Sequence, residues 1–554
     1  MPVKPAWTIW FGAVAASGLA LALALALAPG LGRRPEPAAV RADPDGPARA
    51  DIVLDARERG RLIYRKGLSR SGAPITAVLQ GSNAEVRASL MSCASCHGED
   101  GRGRTEGGIS PPVLTWHALT DPAGARDRLG RARPAYDGPL LARAIATGIN
   151  AAGRPLDAGM PRHRLAQDDM TDLIAYLEIL GRDEVPGLTV DEVHIGTLLP
   201  PRTTSAGVGP AIRQTLAARF EQINREGGLY GRRLVLHAQE LPESEERAGY
   251  VVDAFLERAR PFALVACYLA GLEGPLGRVI GDREVPTVGA FTPYPDESNP
   301  LNRWIFYVQP GLDLQGAALA RFAASRLSGA GAEPAVVHSA DPRLSRAAEA
   351  VARAWAVETG RRPAIVPVSP GADADAVVRR LRESRCDLAF VLGAPELLGE
   401  LLAASARSGW YPYVLAPSAL SGPGLLGASP GFDGRIFLAF PHLASDQTVA
   451  GARRYRRLEE GAGLGRDHLA VRLATLAAVE ALVEGLSRCG RRLDRDGLVR
   501  GIESLRQFET GFVPPLTFTP GRRVGAKGAH VLTVDLQRRL LRPIGAWVTV
   551  SDAP

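Results

Sequence analysis

The stretch Met91-Ser-Cys-Ala-Ser-Cys-His-Gly-Glu-Asp100 holds two of the chain's five cysteines, three residues apart, with His97 directly after the second. Three chemistries use such a spacing. A redox dithiol sits at the start of a helix inside a βαβ unit, and nothing strand-like in the sequence precedes Cys93. A structural zinc needs two more nitrogen or sulfur ligands at suitable spacing. The next cysteine is Cys267, and the nearby His117 and His163 show no matching pattern. Covalent haem attachment through C-x-x-C-H uses all three residues. The thiols of Cys93 and Cys96 add to the two haem vinyl groups, and His97 becomes the proximal iron ligand. The short spacing lets one helical turn present all three to one porphyrin edge. One covalent haem c is the expectation.

A haem iron held by histidine takes a sixth ligand or keeps an open site. Besides Met1 and Met91, the chain has only Met160 and Met170. Met160 sits in Leu156-Asp-Ala-Gly-Met-Pro-Arg162, where Pro161 stiffens the exit of a loop that can aim a thioether at the iron. Met170 belongs with Leu173, Ile174, Leu177 and Leu180 to one helical stripe, with acids in the first turn, so it reads as core. His163 is the rival sixth ligand.

Residues 55–183 resemble the class I c-type cytochromes. Glu58-Arg-Gly-Arg-Leu-Ile-Tyr64 resembles the family's first helix, and Cys93-Ala-Ser-Cys-His-Gly98 its attachment motif. Tyr136 to Pro161 resembles the helix and loop leading to the axial methionine, and Asp169 to Leu180 the closing helix that crosses the first. The resemblance implies an all-α domain with His97 and Met160 on the iron and a proline carbonyl, from Pro111 or Pro112, orienting His97. Tyr176 on the closing helix is expected in the haem environment. His/Met ligation implies an electron-transfer site of relatively high potential. The long stretch between Tyr64 and Cys93 departs from the family's pattern.

From about residue 190 the rhythm changes. Short apolar strands (193–199, 233–237, 262–267, 286–290, then 335–339, 364–368, 388–392, 413–416) alternate with amphipathic helices. Such alternation implies parallel sheets covered on both faces, and two successive sets imply two lobes. Ligands of such sheets bind beyond the carboxyl ends of the strands, so the cleft between the lobes is the default site. In Phe220-Glu-Gln-Ile-Asn-Arg-Glu-Gly-Gly-Leu-Tyr-Gly-Arg-Arg-Leu-Val-Leu236, Gly227 and Gly228 end a helix and Gly231 turns into a strand. Glycines that follow a helix rather than open one exclude a dinucleotide fingerprint.

That segment resembles the type I periplasmic binding proteins of the leucine/isoleucine/valine-binding family, over nearly all of 190–550. The resemblance implies a hinged receptor for a small solute, often feeding an ABC permease. The family's amino-acid pocket does not carry over. The loop Cys267-Tyr-Leu-Ala-Gly-Leu272 offers only Tyr268 as a polar group, Ser418 stands where an ammonium-binding glutamate is expected, and Asp341-Pro-Arg-Leu344 lacks an aromatic lid. A buried ammonium without its carboxylate is strongly disfavoured, so an α-amino acid is not the leading ligand. Tyr268, Thr292, Tyr294 and Ser418 are the candidate solute-binding groups. Cys267, Cys386 and Cys489 read as buried thiols, with one disulfide among them left open.

The remaining sequence sets the compartment. Trp7 to Ala28 carries no charge and as a helix would span roughly 33 Å, enough to cross a hydrocarbon core. Residues 1–28 are expected to be a cleaved signal peptide or an uncleaved membrane anchor, with 29–54 a flexible linker; both place the rest in the periplasm. The chain of 554 residues carries a formal charge of +7, nearly all of its basic side chains being arginine. These are spread and mixed with acids, which argues against nucleic-acid binding. No nucleophile elbow, phosphate loop or metal-spaced histidine pair points to an enzyme. The reading is an electron carrier that meets a redox partner protein, joined to a solute receptor. The alternative is an importer's substrate-binding component with an accessory haem domain.

Overall fold

The computed structural model describes residues 55–550, apart from 70–73, 80–83, 104–110, 122–130, 182–184, 204–206, 328–332 and 492. The apolar run at 7–28 and the linker after it lie outside the described residues. Among the described residues no helix is long and apolar enough to cross a membrane. They fall into two compact units, 55–181 and 185–550.

The first unit opens with α1 (Ala56–Lys66). Asp55 caps it by accepting from the Glu58 amide at 2.8 Å, and Gly67 ends it at φ 63°. Strands β1 (Thr76–Val78) and β2 (Glu85–Arg87) follow, then the five-residue α2 (Cys93–His97), α3 (Trp116–Thr120) and α4 (Gly138–Thr147). Strand β3 (Arg162–Arg164) and α5 (Gln167–Leu177) complete the unit. Helices α1 and α5 cross closely. A Cβ on Gly60 would lie 2.0 Å from the Asp172 carbonyl oxygen, so only glycine permits this approach. Arg59 forks onto the Asp172 carboxylate at 2.6 and 2.7 Å, and the rings of Tyr64 and Tyr176 meet at 5.5 Å. Met170, Leu173, Leu177 and Leu180 are buried in this core, as their spacing predicts.

The helical domain carries one addition. Strands β2, β1 and β3 form an antiparallel sheet in that order. Three-residue strands are too short for a period-two pattern to show in sequence. The stretch between Tyr64 and Cys93 therefore supplies two strands, and both precede Cys93, contrary to the sequence reading. No βαβ unit results, because the pairing is antiparallel.

The second unit begins with β4 (Glu192–Leu199), α6 (Val208–Arg225), β5 (Arg233–Glu240), α7 (Glu245–Ala259), β6 (Ala263–Val265), α8 (Glu273–Asp282), β7 (Thr287–Val288) and β8 (Ile305–Phe306). The strands pair in parallel in the order β5-β4-β6-β7-β8. Val208, Ile212, Leu216, Phe220 and Ile223 of α6 are all buried against this sheet's core. Gly227, Gly228 and Gly231 hold φ of 104°, 68° and 83° in the helix-to-strand turn.

A second set follows: α9 (Leu312–Arg326), β9 (Pro334–Ser339), α10 (Pro342–Thr359), β10 (Ala364–Val368), α11 (Ala374–Glu383), β11 (Leu388–Leu392), α12 (Pro395–Arg407), β12 (Tyr413–Pro417) and β13 (Ile436–Phe440). Helices α13 (Val449–Ala462), α14 (Leu469–Cys489) and α15 (Arg495–Glu503) return to the first lobe's core, and β14 (Gly528–Asp535), β15 (Leu540–Pro543) and β16 (Val548–Thr549) close the second lobe's sheet. That sheet runs β10-β9-β11-β12-β13-β14-β15, parallel up to β13 and antiparallel beyond, with β16 on β14.

The chain crosses between the lobes near residues 309–311, 441–448 and 527. Polar side chains tie the crossings together. Gln309 meets His442 Nδ1 at 3.0 Å, His442 Nε2 donates to the Ala470 carbonyl at 3.0 Å, and His530 meets Asp446 at 2.7 Å. Cys267 and Cys386 are free thiols, and no disulfide joins any of Cys267, Cys386 and Cys489 to another among the described residues. Burial pushes Cys267 up to about 12 and Cys386 up to about 11. Cys489 is only half-buried, because it is the last residue of α14 and lies where that helix opens to solvent.

Candidate functional site

The motif Cys93-Ala-Ser-Cys-His97 is itself helix α2, so a single turn presents both thiols and the imidazole. Gly98 ends it at φ 74°, and Gly101 and Gly103 keep φ of 70° and 79° in the loop that follows. The Gly103 amide donates to the His97 carbonyl at 2.7 Å, and the Tyr64 hydroxyl donates to the Gly98 carbonyl at 2.7 Å. Helix α1 is thus hydrogen-bonded to the end of the motif, and α5 backs Tyr64 through Tyr176, which is 1% exposed.

His97 is 7% exposed, and its Nδ1 lies 3.0 Å from the Pro112 carbonyl. A carbonyl only accepts, so Nδ1 carries the proton. Burial holds the imidazole below its ordinary pKa, against the pull of the Pro112 bond. A neutral ring with its proton on Nδ1 leaves the lone pair on Nε2, the form that ligates a metal. The residues present therefore fit a covalently held haem: two thiols and a tautomer-fixed imidazole on one turn. Of the two candidate prolines, Pro112 makes this bond. The Pro111 carbonyl faces Gly103 instead, where a Cβ would lie 2.5 Å from it. Burial pushes the Cys93 thiol up to about 12, with Cys96 nearby adding to it, while Cys96 itself is exposed.

Met160 ends the turn Asp157–Met160, its amide donating to the Asp157 carbonyl at 3.1 Å, and is half-buried. Arg162 Nη1 donates to the Met160 carbonyl at 2.6 Å. His163, three residues on, is 6% exposed and shares a small cavity with Cys93, Ser92, Ile63, Ile75 and Leu173. Among the described residues no group of three or more His, Cys, Asp or Glu is arranged to hold a bare metal ion.

In the second unit the candidate groups lie on loops after the strands. Tyr268 is buried and bridges in parallel to Phe291 beyond the ends of β6 and β7. The Thr292 hydroxyl donates to the Glu273 carboxylate and accepts from the Tyr294 amide at 2.9 Å. Glu273 also accepts from the Gly271 amide at 3.1 Å. Tyr294 packs on the second lobe's core, and burial pushes its hydroxyl up to about 12. Arg343 stacks over its ring at 4.8 Å and pairs with Asp341 at 3.1 Å. Ser418 is buried at the end of β12, and its carbonyl accepts from Ser421. The structure thus links Thr292 and Tyr294 directly, while no described hydrogen bond joins Ser418 or Tyr268 to them. Glu273 and Arg343 were missed as site residues. Arg343 lies in the stretch that lacks an aromatic side chain, and its guanidinium stacks on the Tyr294 ring.

The cytochrome c family model matches residues 85–180, and the periplasmic binding protein family model matches residues 192–537, more than half of the chain. No curated protein matches the chain. Among solved structures, the fold is similar to a branched-chain amino acid ABC transporter from Thermus thermophilus with bound valine, at 18% identity, covering 65% of this chain and 98% of that one, TM-score 0.51. It is also similar to a fatty acid ABC transporter substrate-binding protein from Thermomonospora curvata, at 14% identity, 66% and 95% coverage, TM-score 0.51. An ABC transporter permease from the Pseudomonas fluorescens group gives 18% identity, 65% and 92% coverage, TM-score 0.53. The chain belongs to the periplasmic binding protein family and carries a cytochrome c domain ahead of its receptor domain.

Proposed function

We propose that the protein is an exported, periplasmic electron carrier whose haem domain is coupled to a solute receptor. Cys93 and Cys96 hold one haem c, His97 is the proximal ligand and Met160 the sixth. When bound, the haem supplies a one-electron couple. The chain's own residues do the rest: Pro112 fixes the His97 tautomer, and Tyr64 and Tyr176 hold the motif's end against α1 and α5. The observation that carries this reading is the bond from His97 Nδ1 to the Pro112 carbonyl at the end of a one-turn Cys-Cys-His helix. The receptor domain takes a small solute in its interlobe cleft, with Tyr268, Thr292, Tyr294 and Ser418 as candidate contacts. Glu273 is already engaged by Thr292 and Gly271, and Asp341 by Arg343. Both donors to Glu273 are neutral and share Oε1, so its charge is not cancelled; Ser418, standing where an ammonium-binding glutamate is expected, is what supports a ligand other than an α-amino acid.

Supply of that solute to an ABC permease is the second reading, favoured by the family match over 192–537. A solute screen by thermal shift, in both oxidation states, tests the coupling. A solute whose stabilisation differs between states supports it, because linkage is reciprocal. Equal shifts in both states refute coupling and leave simple transport.

A further inference from the structure

The proposed sixth ligand, Met160, sits in a loop whose two ends are fixed by different elements. The loop leaves α4 at Gly148. The Gly148 carbonyl accepts from the Leu156 amide at 2.7 Å, and Ile149 bridges antiparallel to Pro155. Between them the buried Asn150 Oδ1 accepts from the Ala152 and Arg154 amides at 3.0 Å each. Residues 148–156 therefore form a closed neck. The other end is fixed by β3, where Arg162 pairs with Val78 of the inserted sheet. Met160 lies between these anchors.

The Arg162 side chain joins the two anchors. Its Nη1 reaches back over Pro161 and donates to the Met160 carbonyl at 2.6 Å. Its guanidinium lies against the buried Gly148, where a Cβ would sit 1.9 Å from both Cζ and Nε and 2.4 Å from Nη2. Only glycine leaves room for the group there. Arg162 Nε is buried and has no hydrogen-bond partner among the described residues. Burying a donor in that way is unfavourable, and an arginine serving only solubility would keep it in water. The side chain is thus seated on the neck of the loop at a cost, with one donor committed to the carbonyl of Met160.

We propose that Arg162 is a positioning residue for the sixth haem ligand: its guanidinium, seated on Gly148, clamps the Met160 carbonyl to the neck of the loop and so keeps the thioether on the iron. The proposal rests on the haem reading above, in which Met160 is that ligand. A hydrogen bond from a cation is stronger than a neutral one, which suits a clamp. Its loss should weaken the hold on Met160 without touching the covalent attachment at Cys93 and Cys96.

The test uses the full, haem-loaded ferric chain. The wild type is first checked for the thioether-to-iron charge-transfer band. Its absence refutes Met160 ligation, and this proposal with it. Imidazole is then titrated in as a competing sixth ligand, and loss of the band is followed. Arg162→Met keeps the length of the side chain but has no donor. It should bind imidazole about tenfold more tightly than the wild type, the effect of losing one hydrogen bond to a charged group, and its reduction potential should fall. Gly148→Ala displaces the guanidinium without removing it, and should also raise imidazole affinity. Adding it to Arg162→Met should change little more, because both break the same contact. A purely structural role for Arg162 predicts a lower denaturant midpoint with unchanged imidazole affinity and potential. That result, or full additivity of the two changes, overturns the clamp while leaving Met160 on the iron.

Discussion

Replacing Gly60 by alanine tests the helix crossing that supports the haem motif. The added Cβ would lie 2.0 Å from the Asp172 carbonyl oxygen and 2.7 Å from Tyr176 Cβ. Favourable carbon contacts need about 3.5–4 Å, so α1 and α5 must separate by roughly 1 Å or more. The obstacle is backbone, which cannot swing aside as a flexible side chain could. Overpacking of this kind costs about 3 kcal/mol, the top of its usual range. Alanine's helix propensity returns about 1 kcal/mol. The net loss is about 2 kcal/mol, which lowers the melting temperature of the haem domain by roughly 10 °C. A melt followed at the haem's visible absorbance reads this domain alone. Gly399→Ala is the control: Gly399 is an exposed interior residue of α12 with no atom within 4 Å of its would-be Cβ. That change should stabilise the receptor domain by up to about 1 kcal/mol. An unshifted haem-domain melt in Gly60→Ala refutes the close crossing.

Three further outcomes rest on single contacts. Tyr64→Phe removes the hydroxyl that donates to the buried Gly98 carbonyl, and should cost about 1–3 kcal/mol in the haem domain's denaturant midpoint, with an unchanged slope. Tyr294→Leu and Arg343→Met, combined in a double-mutant cycle on receptor stability, should give a coupling of about 0.5–1 kcal/mol from the stacked cation, and zero coupling contradicts the stack. Burial pushes Asp341 up, but its hydrogen bonds and ion pair with Arg343 outweigh this and hold the carboxyl below its ordinary pKa. A lowered folded-state pKa stabilises above the unfolded value, about pH 4, and that contribution is lost as pH falls through the folded value. Asp341→Asn should therefore flatten the acid limb of receptor stability measured below about pH 4, and an identical limb in both proteins counts against the pair.

The haem motif was legible because its chemistry is local. Cys93, Cys96 and His97 are adjacent in sequence, and one helical turn brings them together without help from the fold. The stripe Met170–Leu180 was equally legible, since periodicity reports burial directly. The rest depended on backbone conformation that residue types do not announce. The apolar run 262–267 reads as one strand, yet only Ala263–Val265 pair as β6, because Ala266 turns left-handed at φ 51°. The run 286–290 shortens to Thr287–Val288 as Gly289 adopts φ 74°, where a Cβ would meet Ala478 of α14 at 2.2 Å. Thr292 and Tyr294 share one loop and could be found by sequence. Glu273 reaches Thr292 only through the fold, and Arg343 reaches Tyr294 only across the lobes.

Covalent haem on Cys93 and Cys96 distinguishes this chain from a plain periplasmic binding protein. The direct measurement is haem staining after denaturing electrophoresis of protein exported from a strain with a working maturation system, with the intact mass of the same band. A stained band whose mass exceeds the polypeptide's by one haem is expected, with no stain in Cys93→Ala/Cys96→Ala. An unstained wild-type band at the bare polypeptide mass contradicts it.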